Sequence, residues 1–365
     1  MKILYDYQMF LIQKYGGITK YFCELIKNLP AGNEYELSVI FSENQHLKDE
    51  YQYFKKVHLP IPKKESRIGK FLKRHFYNIN KNYSKKIIFK NRYDLFHPTY
   101  YDPYFLDNLK KPYIITVHDL IEFKFQEQYK RNSRIPQMTK VIQNAARIIS
   151  ISENTKKDLI EILKINPEKI DVIHHGFNKA SSFIKKPNIF GRYILFVGVR
   201  KGYKNFITLA KAFSILRIND KDLKLICVGE PFNKKERDEL QNLKILENTI
   251  ALGVDESTLN HLYNYALAFV YPTLYEGFGM PILEAFANNC PVCLSNTSSL
   301  PEVAGNGGIY FEPNDINSIS MAISKVIYNS ELSQQMAFKG KIRLNNFSWK
   351  KCAEETIKSY AKAIS

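Results

Sequence analysis

The chain has 365 residues, 45% of them hydrophobic and 13% aromatic, enough apolar side chains to bury the cores of two domains. This composition excludes disorder throughout, and no run approaches the roughly 18 apolar residues of a membrane-spanning helix. The formal net charge of +17 predicts a polyanionic partner, such as nucleic acid, an anionic membrane or a phosphorylated substrate.

Short apolar runs alternate with helical periods along the chain. The runs cover residues 39–41, 113–117, 148–151, 193–197, 223–228, 267–271 and 292–294. Most are continuous rather than alternating, which is typical of parallel strands buried on both faces. Helical stripes lie between them, at residues 18–29 and 209–216. The pattern predicts doubly wound α/β layers.

Polar and proline-containing sequence interrupts this pattern between Asn178 and Arg192, and a new strand–loop–helix unit starts at Tyr193. We therefore predict two Rossmann-like domains, residues 1–180 and residues 181–349. A last helix, residues 350–365, is expected to fold back across the domain junction onto the first domain.

The positive charge is concentrated between Lys63 and Arg92, where eleven Lys and Arg residues accompany one acid, Glu65. Apolar residues recur there at helical spacing, namely Ile68, Phe71, Leu72, Phe76 and Ile79. A basic amphipathic helix binds an anionic membrane surface. Aromatic residues among lysines also suit single-stranded nucleic acid, and a helix with one core-facing side has the same pattern. The residues alone leave these three interpretations open.

Glycines punctuate a loop at residues 275–280, and a helix opens at Pro281. The free amides and the dipole of a helix start favour an anion such as phosphate. Glu276 and Glu284 bracket this start, and the hydroxyl groups of a sugar or ribose would satisfy their carboxylates. A helix-capping loop with two solvated acids is the alternative interpretation.

Three further features fit the same chemistry. Gly16 and Gly17 lack Cβ atoms, so the backbone can approach a diphosphate at the start of a helix. His118 ends a parallel strand, where α/β folds bind ligands. Arg200 and Lys204 would offset the charge that grows on a departing diphosphate. An ordinary turn, a structural histidine and a solvated basic loop are the respective alternatives.

In this order, the features resemble the retaining glycosyltransferases of the GT-B, family-four type, over essentially the whole chain. The signature is the Glu-x7-Glu spacing of Glu276 and Glu284. The resemblance implies two Rossmann-like domains that face a central cleft. It also implies transfer of a hexose-type sugar from a UDP- or GDP-linked donor to a saccharide acceptor, without metal or cofactor. A lipid-linked acceptor for bacterial surface polysaccharide, such as O-antigen, capsule or lipopolysaccharide, is expected.

The resemblance also assigns roles to residues. His118 is expected to contact the donor sugar near its reacting carbon, and Arg200 and Lys204 to bind the diphosphate. Glu276 is expected on the hydroxyls of the transferred sugar and Glu284 on the ribose. The expected catalytic residues are His118, Glu276, Arg200 and Lys204, with Lys201 in reserve for the cation. The other expected donor-binding residues are Gly16, Gly17, Gly198, Val254, Gly277, Phe278, Gly279, Met280, Ile282 and Leu283.

Acceptor binding is expected in the first domain, where Tyr100, Tyr101 and Tyr104 would stack on acceptor sugar or, alternatively, pack within their loop. No metal site is predicted, because Cys290 and Cys293 have no second pair and lead into a strand as buried thiols.

The five scattered cysteines and the early acid at Asp6, which does not fit a signal peptide, predict a cytoplasmic protein. It could lie on the inner face of the membrane through the segment from Lys63 to Arg92, and no nucleic acid partner is expected. A GT-B epimerase or hydrolase of nucleotide sugars is the alternative enzyme, and a nucleic-acid-binding protein is the remote one.

Overall fold

The computed structural model describes residues 1–49, 67–129, 133–178, 190–200 and 202–365. The chain divides into two compact units. Unit 1 consists of Met1–Gly176 and Phe347–Ser365, and unit 2 consists of Phe177–Asn346. Residues 63–66, Lys201 and most of the interruption at residues 178–192 lie outside the described residues.

The strands of unit 1 pair in parallel. They are β1 (Lys2–Asp6), β2 (Glu34–Ser38), β3 (Leu95–His97), β4 (Ile114–Val117), β5 (Arg147–Ser150) and β6 (Ile170–Val172). They form two three-stranded sheets in the orders β2-β1-β3 and β4-β5-β6. A parallel bridge between Phe96 and Tyr113 connects these sheets, so the carboxyl ends of all the strands lie along one edge.

Helices connect the strands of unit 1. They are α1 (Gln8–Ile12), α2 (Gly17–Lys27), α3 (Gln45–Asp49), α4 (Arg67–Lys90), α5 (Ile121–Lys124), α6 (Gln126–Tyr129), α7 (Ile135–Gln143) and α8 (Glu153–Leu163), with a 3-10 turn at Pro167–Lys169. The longest of them, α4, includes most of the basic segment seen in the sequence.

Unit 2 is built on one parallel sheet. Its strands are β7 (Tyr193–Val197), β8 (Lys224–Val228), β9 (Thr249–Leu252), β10 (Ala268–Tyr271), β11 (Val292–Ser295) and β12 (Gly308–Phe311). The order β12-β11-β10-β7-β8-β9 is that of a doubly wound Rossmann fold, in which the chain reverses its direction of strand addition between β7 and β10. Ligands of such folds bind outside the carboxyl ends of the strands at this reversal.

The helices of unit 2 are α9 (Phe206–Asn219), α10 (Lys234–Asn242), α11 (Glu256–Tyr265), α12 (Met280–Ala287), α13 (Leu300–Ala304), α14 (Ile316–Ile327) and α15 (Ser330–Leu344), with 3-10 turns at Gly202–Lys204, Leu246–Asn248 and Gly305–Gly307. The last helix, α16 (Trp349–Ile364), belongs to unit 1. There Ser359 and Lys362 donate to the carboxylate of Asp171 at 2.7 and 2.9 Å.

The predicted fold class, parallel sheets in doubly wound α/β layers, is confirmed. One predicted strand is wrong: residues 39–41 follow β2 instead of forming a strand. The amides of Ile40 and Phe41 donate to Asn80 Oδ1 of α4, at 2.7 and 3.1 Å, which replaces pairing in a sheet. Across the described part of the chain, no helix combines the length and apolar character needed to span a bilayer.

Candidate functional site

The loops that follow β7 and β10 are joined by an ion pair between Lys204 and Glu276. The Lys204 Nζ atom lies 2.5 Å from Glu276 Oε1, and the two side chains are 13% and 11% exposed. Lys204 also donates to the hydroxyl of Tyr271 at 3.4 Å. Burial, followed by the charge of Glu276, raises the pKa of Tyr271 well above its usual value. The structure therefore brings two predicted residues together where the sheet reverses its strand order.

Asn205 fixes these loops to each other at the start of α9. Its φ of +57° is in the left-handed region, and its side-chain amide donates to the carbonyls of Pro272 and Pro313 at 3.1 and 2.7 Å. The Tyr203 carbonyl accepts the amide of Leu274 at 2.7 Å. The loop that carries Lys204 is thus anchored at its end by contacts to the loops after β10 and β12.

The glycine-rich loop leads into α12 in a buried, fixed conformation. Gly279 precedes the helix with a φ of +106°, and a Cβ atom there would lie 3.0 Å from Ile282 Cδ1, so the position favours glycine. The Ser299 hydroxyl lies 3.0 and 2.9 Å from the carbonyls of Glu276 and Phe278. Glu276 also donates its amide to Ser298 Oγ at 3.0 Å.

Several residues expected to bind the donor point their side chains into the core. Phe278, Ile282 and Leu283 are 3%, 0% and 0% exposed, so only their backbones could reach a ligand. The Ile282 amide already donates to the Gly279 carbonyl at 2.9 Å, which corrects the expectation that this amide is free. Gly277 is buried as well, whereas Met280 is half-buried.

Glu284 is the fifth of the eight residues of α12 and is half-buried. The hydroxyl of Tyr263 donates to its Oε2 atom at 3.1 Å. Burial and the charge of Glu284 raise the pKa of Tyr263 well above its usual value, so this hydroxyl stays a donor. The carboxylate retains acceptor capacity for further hydroxyl groups.

Arg200 lies in the loop after β7 and has a partner that the sequence did not indicate. Its side chain is 3% exposed, and its Nε atom lies 3.1 Å from Glu236 Oε1. Glu236 was missed, although the Asn233-x-x-Glu236 spacing is a capping-box pattern that marks the start of α10. Gly198, with a φ of +130°, lies on the same loop. Half-buried Val254 lies in the loop after β9.

In unit 1, His118 follows β4 directly and is 9% exposed. Three rings surround it, those of Tyr21, Phe22 and His175, with centroids at 5.2, 6.4 and 5.5 Å. Burial, with a smaller contribution from His97, lowers the pKa of His118 to about 3. The imidazole is therefore neutral near pH 7, and one of its nitrogens can donate a hydrogen bond while the other accepts one.

A buried chain of hydrogen bonds lies behind this histidine. Tyr5, Tyr360, His97, Thr116 and Tyr21 follow one another through contacts of 3.0, 2.6, 3.0 and 3.1 Å. The chain connects α16 to β1, β3, β4 and α2. Burial lowers the pKa of His97 to about 3, so this ring is also neutral.

The glycine pair at the start of α2 is less open than expected. The Thr19 amide already donates to Gln13 Oε1 at 3.3 Å, and a Cβ atom on Gly16 would collide with the same Gln13 side chain. A Cβ atom on Gly17 would meet nothing within 4 Å. The structure thus places one protein acceptor where the sequence predicted a close approach of the backbone to a diphosphate.

The expectation that Tyr100, Tyr101 and Tyr104 stack on acceptor sugar needs correction. Tyr101 and Tyr104 are 4% and 7% exposed and belong to the core of unit 1, so neither offers a ring face to a sugar. Tyr104 donates its hydroxyl to the buried Asp6 at 3.1 Å. Tyr100 is half-buried, and the guanidinium of Arg134 lies 4.9 Å from its ring centroid. These residues pack the loop after β3, which was the alternative interpretation.

Other candidate groups near the site are engaged elsewhere. The Asp119 carboxylate accepts the amide of Ile121 at 3.0 Å, and Glu122 forms an ion pair with Arg134. Cys290 and Cys293 are 1% and 0% exposed, and burial raises the pKa of Cys293 to about 12. Within the described residues, no three His, Cys, Asp or Glu side chains form a cluster that could hold a metal ion.

Comparisons with known proteins identify the family. Residues 179–343 match the model "Glycosyl transferases group 1", and residues 15–180 match "Glycosyltransferase Family 4". The chain is 28% identical to the O-antigen chain mannosyltransferase B of Escherichia coli over 284 residues, 72% of each protein. It is 25% identical, over 58% of this chain and 59% of the other, to a Campylobacter jejuni N-acetylgalactosamine-N,N'-diacetylbacillosaminyl-diphospho-undecaprenol 4-alpha-N-acetylgalactosaminyltransferase.

Among solved structures, Anabaena HepE in complex with UDP and glucose aligns with a TM-score of 0.73 at 15% identity, covering 99% of both chains. This similarity shows the shared fold. The chain therefore belongs to the family-four glycosyltransferases and has the GT-B fold. It is a glycosyltransferase similar to enzymes of O-antigen polysaccharide biosynthesis.

Proposed function

We propose that this glycosyltransferase moves a hexose, with mannose as the first candidate, from a UDP- or GDP-linked donor to a saccharide acceptor, with retention and without a metal. The Lys204–Glu276 pair at the reversal of strand order carries the proposal. It combines a cation for a diphosphate with a carboxylate for sugar hydroxyls, at the edge where doubly wound sheets bind ligands. The similarity to an O-antigen mannosyltransferase supports mannose.

The proposed roles follow the chemistry of each group. Lys204 and Arg200 neutralise the diphosphate as it departs, and this stabilisation grows towards the transition state. Glu276 accepts hydrogen bonds from the transferred sugar, and Glu284 from the ribose. His118, neutral near pH 7, contacts the donor sugar by hydrogen bonding, as the family resemblance implies.

Thermal-shift measurements with UDP, GDP, UDP-glucose and GDP-mannose test the donor. A ligand at about 100 times its Kd adds about 2.7 kcal/mol to the free energy of unfolding, a visible rise in Tm. We expect one diphosphate and its sugar to stabilise the protein, and Lys204→Ala to abolish the shift. The anomeric configuration of the product, read by NMR, tests retention. No shift with any of these nucleotides, or full-rate release of free sugar or epimer without acceptor, would contradict the proposal.

We further propose that the acceptor is lipid-linked and that α4 docks on an anionic membrane at the cytoplasmic face. Phe71 and Phe89, at opposite ends of α4, are 70% and 76% exposed. The residues between them on the same exposed face are Arg74, His75, Asn78, Asn82, Lys85 and Lys86, and α4 contains no acid. The opposite side packs into unit 1, for example through Phe76 against Phe41 at 4.6 Å. The lipid-linked substrate in the name of the Campylobacter relative supports this acceptor.

Co-sedimentation with vesicles tests the docking. We expect binding to vesicles that contain phosphatidylglycerol and little binding to pure phosphatidylcholine. Replacing Phe71 and Phe89 by serine should weaken binding about tenfold or more, because each buried phenylalanine contributes about 1.5–3 kcal/mol. Phe338→Ser is the matched control, since Phe338 is 64% exposed on α15 of unit 2. Salt-sensitive binding to single-stranded oligonucleotides, without vesicle binding, would instead favour the nucleic-acid interpretation.

A further inference from the structure

We propose that Glu236 is a positioning residue that fixes the guanidinium of Arg200 so that one nitrogen, Nη1, is presented to the donor diphosphate. The inference deepens the proposed function and rests on it, because it takes Arg200 as a phosphate ligand. It concerns a residue of α10 that lies 36 positions along the chain from Arg200.

The Arg200 guanidinium is held on two of its three nitrogens. Nε donates to Glu236 Oε1 at 3.1 Å, and Nη2 lies 3.4 Å from Oε2 of the same carboxylate. Nη2 also donates to the carbonyls of Glu230 and Pro231 at 2.5 and 3.1 Å. The ring centroid of Phe232 lies 4.7 Å from the guanidinium carbon. These contacts fix both the position and the plane of the group.

The third nitrogen of the Arg200 guanidinium, Nη1, differs from the other two in its hydrogen bonding. Among the residues that the structure describes, none accepts a hydrogen bond from Nη1, which carries two donors. Nη1 lies beside Gly229, because a Cβ atom there would be 3.4 Å from it and 3.0 Å from the Gly198 carbonyl. Gly198 and Gly229 have φ values of +130° and +153°, in the region that favours glycine. The two residues that directly follow β7 and β8 are thus both glycines, and neither places a side chain next to Nη1.

Burial makes the carboxylate partner necessary. The side chains of Arg200 and Glu236 are 3% and 12% exposed, and a guanidinium at this depth without a partner would be strongly destabilising. Glu236 is itself fixed, because its Oε2 atom accepts the Asn233 amide at 2.9 Å while Asn233 Oδ1 accepts the Glu236 amide at 3.0 Å. The start of α10 therefore determines where the Arg200 donors point.

A competing role is the alternative, in which the Glu236 carboxylate takes the place of phosphate at the Arg200 guanidinium and so weakens diphosphate binding. The geometry favours positioning, because Glu236 takes the edge formed by Nε and Nη2 and leaves Nη1 to a ligand. Removal of the carboxylate charge therefore weakens diphosphate binding under our proposal and strengthens it under competition.

The test compares Glu236→Gln with Glu239→Gln in the full-length protein. Glutamine keeps an oxygen for the Asn233 amide but removes the charge. Glu239 lies one turn further along α10 and lines the same cavity as Arg200, so its variant makes the same charge change without touching the guanidinium. Calorimetric titration with GDP, GMP, UDP and UMP measures affinity, and the donor KM and kcat are measured in parallel.

We expect Glu236→Gln to weaken binding of the preferred diphosphate by about tenfold to a hundredfold, the range for a charged hydrogen bond. The monophosphate should lose less, and Glu239→Gln should resemble the wild type. In an Arg200→Ala background the effect of Glu236→Gln should disappear, because the residue acts through Arg200. A merely structural role would weaken monophosphate and diphosphate binding equally and would persist without Arg200.

The results distinguish a failure of the positioning role of Glu236 from a failure of the proposed function. Unchanged or tighter diphosphate binding by Glu236→Gln, while the wild type binds GDP or UDP, overturns the positioning role and leaves the proposed function intact. If the wild type binds neither GDP nor UDP, the proposed function fails and the positioning role fails with it.

Discussion

The two units bring different chemistry to the proposed reaction. In unit 2 the proposed donor residues carry charge and are paired with opposite charge, as Lys204 is with Glu276 and Arg200 with Glu236. In unit 1 His118 is neutral and surrounded by aromatic rings. Charged pairs suit a substrate that carries a diphosphate, whereas a neutral imidazole suits hydroxyl groups. The comparison indicates that the charged side chains that would stabilise a diphosphate are concentrated in unit 2. The following predictions test this division.

The largest predicted effect is acid destabilisation of unit 1. His97, His118 and His175 are buried, and burial lowers their pKa values, to about 3 for the first two. Below the unfolded pKa near 6.5, the unfolded state binds protons that the folded state does not, so stability falls as pH falls from 6.5 towards 3. At pH 5.5 His97 and His118 each cost about 1 kcal/mol of stability, and His175 adds to the loss in the same direction.

The fluorescence of Trp349, the single tryptophan of the chain, reports on unit 1 and measures this loss in denaturant titrations at pH 7.5 and 5.5. Burial raises the pKa of Asp6, which acts in the opposite sense, but this is one group against three. His97→Asn should make the free energy of unfolding less dependent on pH, because one proton fewer is taken up on unfolding. Equal stability at both pH values would refute the neutral histidine cluster.

The next effect concerns unit 2. Lys204→Ala should lower kcat by about a hundredfold to a thousandfold, the usual cost of losing one donor to a developing negative charge. It also leaves Glu276 buried without its cation, so Tm is measured alongside. Lys211→Ala, on the exposed side of α9, is the matched control. Turnover close to wild type in the Lys204 variant would remove this residue from the proposed site.

His118→Gln should lower kcat by about tenfold to a hundredfold, since one positioned hydrogen bond to the donor sugar is lost or misplaced. Because burial holds the His118 pKa at about 3, the wild-type imidazole does not titrate between pH 5.5 and 8. The kcat–pH profiles of wild type and variant should therefore have the same shape. A step near pH 6.5 that disappears in the variant would show that His118 changes its protonation during turnover.

The smallest effect is expected for Tyr360→Phe, which breaks the hydrogen-bond chain behind His118. Loss of this hydroxyl removes contacts to Tyr5 and His97, and we expect a cost of about 1–3 kcal/mol in the free energy of unfolding. Tyr328→Phe in unit 2 is the control, because Tyr328 is 54% exposed and its bond to Asp220 lies at the surface. Equal Tm changes in the two variants would contradict a role for the buried chain.

The same contrast between units explains what the sequence could predict. In unit 2 the signals are local: the apolar run at Tyr193–Val197 coincides with β7, and Pro281 lies in the first turn of α12. In unit 1 the decisive contacts are long-range. The three-residue β3 is too short to give a periodic pattern, and Tyr104 is held by Ser84 of α4 and Asp6 of β1, which lie far away in the sequence.

Glu236 illustrates the limit most directly. The capping-box spacing is visible in the sequence, but only the pairing of β7 with β8 brings the start of α10 to Arg200. Residues whose role depends on which strands become neighbours require the topology, whereas residues on one loop can be recognised from their spacing.

The chain passes from unit 1 into unit 2 after Gly176 and returns before Phe347, so unit 2 is an insertion within unit 1. The two connecting segments touch, since a Cβ atom on Gly176 would lie 2.2 Å from the Trp349 nitrogen. Residues 177–346 can therefore be expressed as one continuous fragment. Unit 1 without unit 2 keeps α16 only if Gly176 is joined to Phe347. A premature stop codon before Trp349 would remove α16 and with it part of the core of the first unit.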